Sequence, residues 1–81
     1  MLRVLYLARV DVISTGGVYY EIRDEEGMIA LGDSVMSNHG DDAVVTSTEL
    51  DDHEVEALEA LRRTDPALYR LALVDLSSRG G

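Results

Sequence analysis

Apolar and polar positions alternate from the start of the chain, and this two-residue period predicts a β-strand over residues 2–13. Val4, Tyr6, Ala8, Val10 and Val12 share one face, expected to meet the core. Leu5 and Leu7 lie on the other face with Arg9 and Asp11, so that face too needs a cover, from a helix or from a partner chain. This second apolar face leads to the expectation of self-association as a homodimer. Ser14-Thr15-Gly16-Gly17 supplies the glycines of a hairpin, and Val18–Arg23 has the β-branched and aromatic content of a second strand. Asp24-Glu25-Glu26-Gly27 then reads as a turn, Met28–Ser37 as a third strand with Gly32 at a bulge, and Ala43–Ser47 as a short fourth strand.

The period changes after residue 50. Asp51 and Glu54 have the spacing of a capping box, with Leu50 and Val55 as a hydrophobic staple, and the pattern predicts a helix over 52–63. Val55, Leu58 and Leu61 form its buried stripe, while Arg62 and Arg63 suit its negative end. Asp65-Pro66 starts another helix, because proline is preset for the first helical position. The run Leu71–Leu76 also fits a strand, although its Ala and Leu content favours the helix. The expected architecture is α+β: an antiparallel meander of three to four strands followed by two C-terminal helices packed on one face. One domain over residues 1–76 and a frayed tail over 77–81 complete the reading.

At 81 residues the chain has room for a single core. It has no cysteine, which removes disulfides and thiolate metal sites and fits a reducing, cytoplasmic location. The N-terminal apolar stretch is broken by Arg3, Arg9 and Asp11, so neither a signal peptide nor a membrane span is expected.

Charge changes the picture most. The net charge is −9, and all seven basic residues are arginine. Residues 24–59 hold twelve carboxylates and no basic residue. Such a segment repels nucleic-acid phosphates and attracts a cationic surface. In composition the chain resembles phage-borne inhibitors and nucleic-acid mimics. That resemblance implies a non-enzymatic inhibitor or adaptor docking on a basic, nucleic-acid-binding partner protein, with no direct contact to nucleic acid or membrane. The candidate partner-binding residues are Asp24, Glu25, Glu26, Asp41, Asp42, Asp51, Asp52 and Glu56. A GC-rich genome or a salt-adapted cytoplasm would produce the same acidity without any partner.

Motifs for chemistry are sparse. His39-Gly40-Asp41-Asp42 and Asp51-Asp52-His53-Glu54 offer imidazole and oxygen ligands that folding would have to bring together. The serines have no triad spacing, and Gly16-Gly17 lacks the lysine of a phosphate loop. The expectation is therefore no catalytic residue, no metal and no cofactor.

Two resemblances give alternatives. Asp11 in a first strand, Glu49 before Glu56-Ala57-Leu58-Glu59-Ala60-Leu61, and Asp75 in Val74-Asp75-Leu76-Ser77 are similar in spacing to the acidic ligands in the first half of a ribonuclease H fold. This implies a metal-dependent nuclease or related hydrolase with Asp11, Glu49 and Asp75 as ligands. Asp11 lacks the Gly-Ser that follows the first acid in that family, and Asp75 falls in the expected helix. The terminal Gly80-Gly81 resembles the activated end of ubiquitin-like modifiers, but their main helix follows the first hairpin directly, where a third strand is expected here.

Overall fold

A computed structural model describes residues 4–79. Its elements are β1 (Leu5–Val12), β2 (Gly17–Asp24), α1 (Glu25–His39), a 3-10 turn (Gly40–Asp42), β3 (Ala43–Leu50), α2 (Asp52–Thr64) and α3 (Pro66–Arg79). The class is α+β, with three antiparallel strands and two C-terminal helices on one face of the sheet. Strand order is β2-β1-β3, so the first strand in sequence is the central one.

The hairpin forms as its residues demand. The Gly16 N–H donates to the Val12 carbonyl at 2.9 Å, and Gly16 takes φ +70°, a conformation that a side chain disfavours. From there the path departs from the expected one. Residues 28–37 are helical, and α1 occupies the place of the predicted third strand. The Asp24 carboxylate accepts from the Gly27 N–H at 2.8 Å, so the segment read as a turn is a helix start. Packing at Gly27 is close: a Cβ on it would lie 3.0 Å from the Arg23 Cβ and 3.2 Å from the Asp24 carboxylate. Met28, Leu31 and Val35 then fall on one helical stripe. Gly32 sits in open space on the outside and marks no bulge.

Because α1 crosses the sheet before β3 begins, β2 and β3 run in the same direction on either side of β1. The chain therefore covers both faces of β1 by itself, except at the Arg9 and Asp11 end of one face, which stays partly exposed. Ala8 and Val10, fully buried, pack with Leu31, Val35 and Met28 under α1. Leu7, 1% exposed, packs with Leu50, Leu58 and Leu73 under α2 and α3, alongside Tyr20, Ile22, Val55, Tyr69 and Leu76. Full burial of a side chain such as Leu7 or Leu58 contributes about 1.5–3 kcal/mol. The cover predicted for Leu5 and Leu7 thus comes from α2 and α3 of the same chain, which removes the reason given for self-association.

The capping box at Asp51 forms in both directions: the Asp51 carboxylate accepts from the Glu54 N–H at 2.8 Å, and Glu54 Oε1 accepts from the Asp51 N–H at 3.0 Å. Residues 66–76 are helix, and the segment expected as a tail continues it to Arg79, with the hydroxyls of Ser77 and Ser78 donating to the Val74 carbonyl. Gly80 and Gly81 lie outside the described residues. Among the described residues no helix is long and apolar enough to cross a membrane.

Candidate functional site: an acidic pole

Strand register decides where the carboxylates gather. Leu5 in β1 stands opposite Asp24 on one side and Leu50 on the other. With strands spaced about 4.8 Å apart, Asp24 and Leu50 end up roughly 10 Å apart at one end of the sheet. A helix starts at each of them, α1 over one face and α2 over the other. Two helix N-termini and their acidic residues therefore share one end of the molecule.

Within this pole the carboxylates divide by role. Asp24 and Asp51 cap their helices, and Glu54 completes the box at α2. Glu25, Glu26, Asp52 and Glu56 are exposed and have no ion-pair partner among the described residues. Glu49, opposite Tyr6 in β3, adds an exposed carboxylate that the sequence reading did not assign to the site. The positive ends of both helix dipoles point at the pole and lower the cost of concentrating negative charge there.

Six of the eight predicted residues converge: Asp24, Glu25, Glu26, Asp51, Asp52 and Glu56. Asp41 and Asp42 do not join them. They lie in the 3-10 turn at the far end of β3, the length of an eight-residue strand away, or roughly 23 Å. Asp42 is engaged in the fold, where its carboxylate accepts from the N–H and the hydroxyl of Ser14. The predicted single face of eight carboxylates is thus split by the sheet into a pole and a separate pair.

The same geometry separates the candidate metal ligands. His39 ends α1 beside the 3-10 turn, whereas His53 stands exposed in the first turn of α2 at the opposite end of β3. Asp11 and Glu49 project from opposite faces of the sheet, since alternate residues of β1 and their partners alternate in side. Asp11 instead receives the Arg9 guanidinium at 3.0 Å on its own face. Asp75 is exposed on α3. Among the described residues no three His, Asp or Glu side chains are grouped so as to hold a metal ion.

One surface feature escaped the sequence reading. Leu68, Leu71 and Val74 line the outer side of α3 and are 50%, 64% and 47% exposed, bordering a shallow depression with Leu61 and Ser78. The signal for it was present: Leu and Val occur on every side of this helix, so one apolar side had to remain outside the core.

No family model, no curated protein and no solved structure matches this chain.

Proposed function

We propose that this protein is a non-enzymatic interaction protein, an inhibitor or adaptor of the nucleic-acid-mimic kind, that docks its acidic pole on a basic, nucleic-acid-binding surface of a partner protein in the cytoplasm. The observation that carries this reading is the convergence of carboxylates from two distant sequence segments at one end of the sheet. Four of them, Glu25, Glu26, Asp52 and Glu56, are neither capping groups nor ion-paired among the described residues. Folding does not require their concentration, because exposed carboxylates at helix starts are cheap to replace. A pole of one sign focuses its field outward, speeds encounter with a cationic surface and makes that encounter sensitive to salt.

The test begins with capture of the partner from a lysate of the source cell on the immobilised chain, identified by mass spectrometry. Association rates are then measured at several salt concentrations. Reversing Glu25 and Glu56 to lysine should slow association by about tenfold at low salt and flatten the salt dependence. In the monomer, reversing Asp41, at the other end of the sheet, should leave the rate within about twofold, because within one chain it lies beyond a Debye length from the pole. Rates insensitive to salt and to both reversals would overturn the proposal and assign the acidity to genome composition.

A further inference from the structure

We infer that β3 is a self-association edge, and that two copies of this chain pair β3 with β3, antiparallel about a two-fold axis through Thr46, to make one continuous six-stranded sheet. The inference does not rest on the acidic-pole reading. Among the described residues both outer strands have one side without a strand neighbour, but they differ in protection. β2 carries Glu21, Arg23 and Asp24, charges of the kind that discourage edge pairing, whereas residues 43–48 of β3 are uncharged, rich in β-branched residues and free of proline, glycine and bulges.

The phase of the ladder shows which groups face outward. The Ile13 N–H donates to the Asp42 carbonyl at 2.7 Å, one step beyond the Val12–Ala43 pair and in the same register. By alternation Val44, Thr46, Thr48 and Leu50 bond to β1, and Ala43, Val45, Ser47 and Glu49 turn their N–H and C=O groups away from it. Two such strands match best about Thr46. Ala43 then exchanges hydrogen bonds with Glu49 of the second copy, Val45 with Ser47, and Thr46 faces Thr46 as a non-hydrogen-bonded pair.

The side chains beside the edge suit this occupant. On the α1 face an open groove is lined by Tyr6, Met28, Ile29 and Ser47, with Glu25 at its border, and Ile29 is 64% exposed. In the stated register Val45 of the second copy, packed under its own α1, lies opposite Ser47 on that same face and brings its remaining exposed edge to the border of the groove. On the other face the half-exposed Val44 meets Thr48 of the second copy. The arrangement also sets Asp41 of one copy near Asp51 of the other, and that repulsion opposes pairing at low ionic strength. Salt should therefore strengthen this association, the reverse of its effect on docking through the pole.

Sedimentation equilibrium of the full chain tests the inference. A dimer that forms with rising concentration and tightens with added salt is expected. Ser47→Pro removes an outward N–H without touching the β1 ladder and should leave a monomer. Thr46 is exposed, so Thr46→Glu and Thr46→Lys should each keep the circular dichroism spectrum and each weaken the dimer by roughly tenfold, through like charges at the axis. Mixing the two variants should restore association, because only their pairing sets opposite charges face to face. Thr46→Cys should cross-link under mild oxidation, since non-hydrogen-bonded antiparallel partners approach within disulfide range. A clean monomer at high micromolar concentration and high salt would overturn the inference. So would a dimer that survives both charged variants, which would point instead to the outer side of α3, or a mixture that fails to associate.

Discussion

Asp42 holds Ser14 from 28 residues away, its carboxylate accepting from the Ser14 N–H at 2.9 Å and from the Ser14 hydroxyl. With the Ile13 N–H on the Asp42 carbonyl, this ties the end of β1 to the turn that feeds β3. Replacing Asp42 by Ala should cost about 1–2 kcal/mol, because two donors lose a charged acceptor. Asp41→Ala next door should stay within about 0.5 kcal/mol. Urea midpoints of the two variants check this, and equal midpoints would remove the structural role assigned to Asp42.

The two N-caps are expected to behave alike. Asp24→Ala and Asp51→Ala should each lower stability by about 1 kcal/mol, the usual effect of removing such a cap. Their effects should add within about 0.5 kcal/mol, since the caps serve different helices. Chemical denaturation followed by circular dichroism measures both. An unchanged midpoint in Asp24→Ala would contradict the helix start that distinguishes this fold from a simple meander.

Gly32 gives a prediction of opposite sign. It lies within α1, and a Cβ there would meet nothing within 4 Å. Gly32→Ala should therefore raise stability by about 0.5–1 kcal/mol, through helix propensity and a less flexible unfolded chain. Thermal and urea unfolding would show it. A loss of stability would restore the bulged strand that the sequence suggested.

The contrast between Asp24 and Asp51 explains what could be read in advance. Both begin helices with the same carboxylate-to-N–H bond, but at Asp51 the third helical residue is Glu54, which returns the bond and makes the signature visible. At Asp24 that position holds the closely packed Gly27, and a glycine after two glutamates has the composition of a turn. Ile29 and Met36 further blur the helical stripe of Met28, Leu31 and Val35, because they are apolar yet 64% exposed. The hairpin, α2 and α3 were legible because their signals are local. The acidic pole was legible only as a list of residues. That Asp41 and Asp42 stand apart from it follows from the register of β3 on β1, and no local pattern encodes that register.

The central position of β1 also sets an order of events during synthesis. A chain emerging from its N-terminus can close the β1–β2 hairpin and lay α1 over Ala8 and Val10 while the later residues are still being added. Leu7, Tyr20 and Ile22 on the opposite side have no cover until residues beyond 50 arrive, because their neighbours Leu58, Tyr69 and Leu73 all come from α2 and α3. Until those residues emerge the sheet is half-dressed with its greasiest side bare, a state that would make the chain a natural client for a chaperone that guards nascent chains.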